Sequence, residues 1–418
     1  MLNVTHSPFP LPPPVPHNSS HMPVSDRLKS LPGYPLAEVP AIKKRLLAQG
    51  VDVIDLGPGD ADYPPPAEVI AAMQKAVAEP AMSKYGFQQG LAEFRQAAAA
   101  WMKRRFGIEF DPTTELLPLI GSKEGLAHLP FAILNPGDVA VVPEPGYQAY
   151  LGGTLLAGGV PYVYPITPRT RFLVELEELP ADVCAKVRLV FLNYPNNPTG
   201  AVAPMDYLER TVEFCRKHGI VLAYDNPYCD LTFDGYRAPS IFQVAGAREV
   251  AVEFFSMSKS FSMTGWRLGW AAGTAHLIQA LTKIKTYVDT GPFLATQKAA
   301  VTALDQTEKL VAPNVAELAR RRDAGVAALR KAGFSLESPK GAMYLWVAVL
   351  PGIASAQFAT WALEEEGVIV LPGGGFGPGG EGFFRIALTV PAARLIDAAE
   401  RLGRVLARHG EDAVAPAW

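Results

Sequence analysis

Cysteine is scarce: Cys184, Cys215 and Cys229 are the only three in 418 residues, scattered and with no C-x-x-C pair. That spacing excludes a disulfide framework and leaves core packing as the expected role of each. Histidine is also thin, with seven residues and neither an H-E-x-x-H motif nor a Cys/His cluster, so no metal site is expected. An excess of one charge sign is missing too. Lys plus Arg number 38 against 41 Asp plus Glu, which excludes the basic stripe of a nucleic-acid binder and a polybasic membrane anchor. No apolar run approaches the roughly eighteen residues that a membrane span requires. With no apolar signal-peptide core ahead of the folded part, the expectation is a soluble protein in a reducing compartment, the cytoplasm.

What is present is a chain that is 49% hydrophobic and 19% charged, too long for one small core, which predicts a two-lobed globular protein. Residues 1–24, rich in proline, histidine and serine, are expected to be disordered or extended. Ser25 and Asp26 can cap a short helix, and a second helical pattern runs from Leu36 to Gln49. Residues 51–56 alternate like a strand and end in Gly57-Pro58-Gly59-Asp60. Helical patterns at 67–79 and 91–106 flank an irregular loop that carries Tyr85.

From Leu116 to Gly273 short apolar runs alternate with helices or loops, at 116–120, 139–142, 161–166, 187–193, 220–224, 250–255 and 267–272. This pattern predicts an α/β fold whose large domain is a mostly parallel sheet sandwiched by helices. Helices follow at 277–288, 293–304 and 308–331. The remainder reads as strands at 335–336, 344–349, 368–371 and 382–388 with helices at 354–366 and 392–408. The expected division is 25–56 as the N-terminal part of a smaller α/β domain, 57–307 as the large domain and 308–418 as the rest of the small one. The glycine-rich stretch from Gly373 to Gly380 lacks the lysine and Ser/Thr of a phosphate-binding loop and reads as a mobile loop.

Three sheet runs end in side chains capable of chemistry. One runs into Tyr194-Pro195-Asn196-Asn197-Pro198-Thr199-Gly200, the next into Asp225-Asn226-Pro227-Tyr228, the third into Ser256-Met257-Ser258-Lys259. Lys259 stands just after Phe254 and Phe255, where a bare ammonium is costly to bury, so it is either at the surface or altered by chemistry. If the strands share one sheet, Asn197, Asp225, Tyr228, Ser256 and Lys259 converge on the edge where open α/β sheets bind ligands. Ser122 and Lys123, at the start of a helix, would add an anion site of free backbone N–H groups, and Arg267 a fixed cation. A lysine, a carboxylate, a phenol and a phosphate cradle together suggest pyridoxal phosphate.

With these motifs in this order, and with TGWRLGW running to Trp270, the chain resembles the fold-type I pyridoxal-phosphate enzymes, and within them the class I/II aminotransferases, over nearly its whole length. The resemblance implies that Lys259 forms the internal aldimine and then moves the proton between the substrate Cα and the cofactor's C4′. It implies that Asp225 pairs with the pyridine nitrogen, that Asn197 and Tyr228 bond the 3-oxygen and that Tyr147 stacks on the ring. Ser122, Lys123, Ser256 and Arg267 would hold the phosphate, with Tyr85 reaching it from a neighbouring subunit, which makes a homodimer with shared sites the expected assembly. Arg385 would clamp the substrate α-carboxylate, with backbone near Gly59 and Tyr34 of the partner chain closing over it.

The GSKEG run at 121–125, FDGYRAPS at 233–240 and KGAMYLW at 340–346 look most like the subgroup containing LL-diaminopimelate and alanine aminotransferases. The implied reaction moves an amino group between an L-amino acid, LL-diaminopimelate before alanine or aspartate, and a 2-oxo acid such as 2-oxoglutarate. A lyase of the C–S β-lyase type on the same scaffold is the alternative, because fold alone does not set the reaction. An aminotransferase-like regulator is the weaker third, since no DNA-binding module precedes the domain.

Overall fold

The computed structural model describes residues 24–33 and 39–410. Except for Val24, the segment 1–24 lies outside them. Twelve strands are described: β1 (Ile54–Asp55), β2 (Leu116–Leu119), β3 (Val139–Glu144), β4 (Val160–Pro165), β5 (Val187–Asn193), β6 (Val221–Asp225), β7 (Ala251–Ser256), β8 (Gly269–Gly273), β9 (Tyr344–Ala348), β10 (Val368–Ile369), β11 (Leu371–Pro372) and β12 (Phe383–Ala387). Seven of them form one sheet in the order β2-β8-β7-β6-β5-β3-β4. Only β8 runs against its neighbours, pairing antiparallel with both β2 and β7. The other pairings are parallel, the arrangement expected from seven apolar runs separated by helices.

Central strands buried on both faces must be apolar throughout. β5 is buried at every position except Arg188. One face of the sheet packs Leu117, Phe191, Ala223 and Phe254 against Leu126 and Leu129 of the helix Ser122–Ile133. The other packs Leu116, Val190, Tyr224 and Phe255 with Phe94, Trp101 and Trp270. Each large apolar side chain so buried contributes about 1.5–3 kcal/mol. The register then sets the chemistry, because Asn193 lies beside Asp225 and Asp225 beside Phe254. The polar turns after β5, β6 and β7 therefore emerge together at one edge.

Two smaller sheets complete the fold, β11-β12-β9, antiparallel, and β1-β10, parallel. The N-terminal strand β1 thus joins the C-terminal region. Leu46 of the helix Val39–Ala48 packs there with Leu363 and Ile369. Ser25 caps the helix Asp26–Lys29 through its side chain, as expected.

Other boundaries differ from the sequence expectation. Residues 335–336 form no strand, although the Ser335 carbonyl accepts from Ala348 N at 3.0 Å. The run 368–371 divides into β10 and β11, which belong to different sheets. β8 begins only at Gly269 because Arg267 adopts φ 54°, a left-handed conformation that cannot continue a strand. The stretch expected as a mobile loop folds into two 3₁₀ turns, Gly373–Phe376 and Pro378–Gly380. The Glu144 carboxylate at the end of β3 accepts from Gly379 N at 2.6 Å.

Arg321, in the long helix Thr307–Lys331, ties the loop after β1 to the C-terminal part of the chain. It is 2% exposed. Its guanidinium forks onto Asp62 at 2.8 and 2.9 Å, and it also donates to the Leu388 carbonyl at 3.0 Å. A buried fork of this kind fixes orientation as well as distance.

Candidate active site

At the sheet edge lies a cavity of about 270 Å³. Of the residues singled out from the sequence, Gly59, Ser122, Lys123, Tyr147, Asn197, Asp225, Tyr228, Ser256, Lys259, Arg267 and Arg385 all line it. Tyr85 does not line the cavity of its own chain, and its side chain is 73% exposed. Tyr34 lies outside the described residues.

The turn after β5 is stitched by its own amides. Asn193 Nδ2 donates to the Asp225 carbonyl at 2.7 Å, and Asn193 Oδ1 accepts from Asn197 N at 2.8 Å. Asn196 Oδ1 accepts from Thr199 N and Oγ1. The peptides before Pro195 and Pro198 are cis. Asn197 Oδ1 accepts from Arg385 Nη1 at 2.7 Å, while Arg385 Nη2 donates to the Gly57 carbonyl at 2.6 Å. The Arg385 guanidinium lies 4.2 Å from the centre of the Tyr344 ring, and its residue is 5% exposed. Lys259, half-buried in the short helix Met257–Ser260, donates from Nζ to the Gly59 carbonyl.

At the other end of the cavity Gly121, at φ 73°, begins the helix Ser122–Ile133 with no side-chain cap. A side chain on Gly121 would run into the Arg267 guanidinium, and one on Gly269 into Ser122 N. The two glycines allow a cation and an open helix N-terminus to lie side by side, the arrangement that binds an anion. Ser256 closes the group, its Oγ accepting from Ser258 N at 3.1 Å.

The profile of the family described as "Aminotransferase class I and II" matches residues 51–402. The chain belongs to that family. An LL-diaminopimelate aminotransferase of Desulforudis audaxviator is 46% identical over 382 residues, covering 91% of this chain and 97% of that one. The enzyme of the same name from Aquifex aeolicus is 44% identical, covering 90% and 98%. Among solved structures, a probable N-succinyldiaminopimelate aminotransferase from Thermus thermophilus superposes with a TM-score of 0.85 at 37% identity, covering 89% of this chain and all of that one. This aminotransferase is therefore an enzyme that transfers amino groups, on the fold expected from its sequence.

The residues of this aminotransferase fit a pyridoxal-type cofactor. Asp225 is 4% exposed, and its Oδ2 accepts from the Tyr150 hydroxyl at 2.7 Å, while Oδ1 has no protein partner. A buried carboxylate oxygen left open at a cavity wall calls for a donor, and a protonated ring nitrogen is one. Burial pushes the Asp225 carboxyl up to about 7, against the lowering effect of the Tyr150 hydrogen bond.

Two neighbours were not assigned a role from the sequence. Tyr344 lines the cavity, and its hydroxyl lies 3.1 Å from that of Tyr228. Burial raises both phenols. At Tyr344, however, the charges of Lys259 and Arg385 and the Tyr228 hydrogen bond prevail and bring it below its ordinary value, whereas Tyr228 stays well above. The other is Tyr150. Its one early signal was its position three residues after Tyr147 in a helical pattern, which places both on one helix face.

Among the described residues Glu124, His128 and Asp289 approach one another closely enough to hold a metal ion. Lys285, with a fully buried side chain, already supplies a cation there, donating to Glu124 at 2.7 Å and to both Asp289 oxygens at 3.0 Å.

On the sheet face opposite Tyr150, the buried Glu253 accepts from Ser240 Oγ at 2.5 Å and from Asn226 Nδ2 at 2.8 Å. Burial raises its carboxyl from 4.5 to about 8. A carboxyl raised on folding binds more protons in the native than in the unfolded state, so its contribution is fully present below 4.5 and is lost as pH rises through about 8. Glu253→Gln, which mimics the protonated acid, should gain on the wild type across that window by on the order of 5 kcal/mol. Calorimetry of the cofactor-free proteins over a pH series checks this, and a difference in melting temperature that does not vary with pH would contradict it.

Proposed function

We propose that the cavity binds pyridoxal 5′-phosphate and that the enzyme moves an amino group from LL-diaminopimelate to a 2-oxo acid, with 2-oxoglutarate as the natural acceptor. The observation that carries the cofactor assignment is the meeting of Lys259, the open oxygen of Asp225 and Arg385 in one cavity. The donor assignment rests on the curated relatives, which share 41–46% identity with this chain and bear the name LL-diaminopimelate aminotransferase.

In this reading Ser122, Lys123, Ser256 and Arg267 hold the phosphate, the first two through the helix N-terminus. Tyr147 covers one ring face, Asn197 and Tyr228 bond the 3-oxygen, and Asp225 Oδ1 accepts from the ring nitrogen. Bound there, the cofactor supplies an electron-accepting ring that renders the substrate Cα–H acidic. Arg385 swings its fork from the Gly57 carbonyl to the substrate α-carboxylate, with the Gly59 backbone above it. Lys259 Nζ is the base that takes the Cα proton and delivers it across the cavity. The enzyme is proposed to act in the cytoplasm as a homodimer, with the exposed Tyr85 of each chain, and Tyr34, serving the partner's cavity.

A donor panel with 2-oxoglutarate as acceptor tests the substrate. LL-diaminopimelate should exceed alanine, aspartate and methionine in kcat/KM by about a hundredfold or more, since a site built to bond a distal polar group rejects donors that lack it. Equal rates across the panel would remove the donor assignment. With a β-thioether donor such as cystathionine, release of pyruvate, ammonia and the thiol without a new amino acid would replace transfer by elimination.

A further inference from the structure

Asp225 ends β6 among apolar neighbours, yet one of its oxygens is held by a group outside the cavity. Tyr147 immediately precedes the helix Gln148–Leu156, and Tyr150 lies one turn further on. Tyr147 lines the cavity, while Tyr150 sits behind it, 1% exposed. The Tyr150 ring stacks on Phe191 with centroids 4.8 Å apart and planes 14° apart, and it meets Tyr147 edge-on at 5.7 Å. Its hydroxyl reaches Asp225 Oδ2 at 2.7 Å. Among the described residues no other side chain is hydrogen-bonded to that carboxylate, and Oδ1 stays open.

We propose that Tyr150 is the positioning residue for Asp225: its hydroxyl anchors Oδ2 so that the carboxylate stays ionised and presents Oδ1 to the ring nitrogen. The inference rests on the cofactor reading above. A carboxylate in an apolar wall can meet its loss of hydration by taking up a proton, and it would then offer a hydroxyl where the ring requires an acceptor. A charge-assisted bond from a phenol opposes that, and being short and directional it also stops rotation of the carboxylate. Tyr150 itself stays a donor, because burial and the adjacent Asp225 hold its own ionisation well above the ordinary value. The other groups facing Asp225 are the phenols of Tyr147 and Tyr228 and, around the cavity, Lys259 and Arg267. The two aromatic contacts lock the Tyr150 ring, so Tyr150→Phe removes one oxygen and leaves the packing in place.

The test compares wild type, Tyr150→Phe and a protein with 3-fluorotyrosine at position 150, whose phenol is the stronger donor. Difference infrared spectroscopy of the cofactor-free proteins reads the protonation midpoint of the Asp225 carboxyl, assigned by its loss in Asp225→Asn. Equilibrium titration with pyridoxal 5′-phosphate reads affinity. Tyr150→Phe should raise the midpoint and weaken cofactor binding by roughly tenfold or more, with unchanged circular dichroism. Fluorination should shift both quantities the opposite way. Equal midpoints in wild type and Tyr150→Phe overturn the proposal, as does a fluorinated protein that moves in the same direction as the phenylalanine variant, since that is a packing effect. If wild type itself fails to bind the cofactor, the cofactor reading falls, and the infrared midpoints still decide whether Tyr150 controls Asp225.

Discussion

Lys259→Ala is expected to lower kcat for amino-group transfer by about four orders of magnitude, the loss that follows when a nucleophile and proton carrier are removed together. Lys259 donates to the Gly59 carbonyl and lines the cavity beside Asp225 and Tyr228. No other lysine lining that cavity is placed to take over, because the Lys123 ammonium lies 5.6 Å from the centre of the Tyr147 ring, at the N-terminus of the helix Ser122–Ile133. Two measurements separate the chemical role from folding. Single-turnover reaction of the loaded variant with an amino acid should be slow, and borohydride treatment of the loaded wild type should leave the cofactor on the peptide carrying Lys259 and nowhere in the variant. The alanine side chain should preserve the fold, since Met257, Ser258 and Ser260 around it supply the buried contacts of that turn. A Lys259→Ala protein with wild-type turnover would remove the central assignment.

Arg385→Ala is the second large effect. The guanidinium is nine-tenths buried or more, held by Asn197 and the Gly57 carbonyl, and flanked by the rings of Tyr344 and Phe376. A fork oriented on all sides loses little freedom when it takes a carboxylate. Truncating one partner of a desolvated charge pair costs about 2–5 kcal/mol, which corresponds to a fall of roughly thirtyfold to several thousandfold in kcat/KM. Because every amino acid and 2-oxo acid carries the same carboxylate beside the reacting carbon, KM should rise for all of them together. Arg385→Lys should recover only part of the loss, as the ammonium keeps the charge without the fork. Affinity for the cofactor should be nearly unchanged. Steady-state kinetics on both half-reactions decide the matter, and a KM increase confined to one substrate would assign Arg385 to side-chain recognition instead.

The strands were legible because their signal is local. A run such as Val187–Asn193, apolar and followed by a proline-rich turn, reads as a buried strand, and that turn carries its own asparagines for stitching. Where the expectation slipped, a non-local term decided. The division of residues 368–371 between two sheets depends on which partner each half meets, and residues 335–336 lack a continuous partner strand. The glycine-rich stretch 373–380 gave no sign that Glu144, more than two hundred residues away, would hold it.

By itself the sequence determined which chemical groups this enzyme has and in what order the turns present them: Asn197 after one strand, Asp225 and Tyr228 after the next, Lys259 after a third. Turn and strand preferences act over a few residues, so they survive being read one segment at a time. Only the tertiary structure decided which distant groups surround them. It brought the Gly59 carbonyl to Lys259 and Arg385 to Asn197, set Tyr344 against Tyr228, and placed the hydroxyl of Tyr150 on Asp225. These contacts join residues tens to hundreds of positions apart, and they depend on sheet register and on the meeting of separate sheets, which no local pattern encodes.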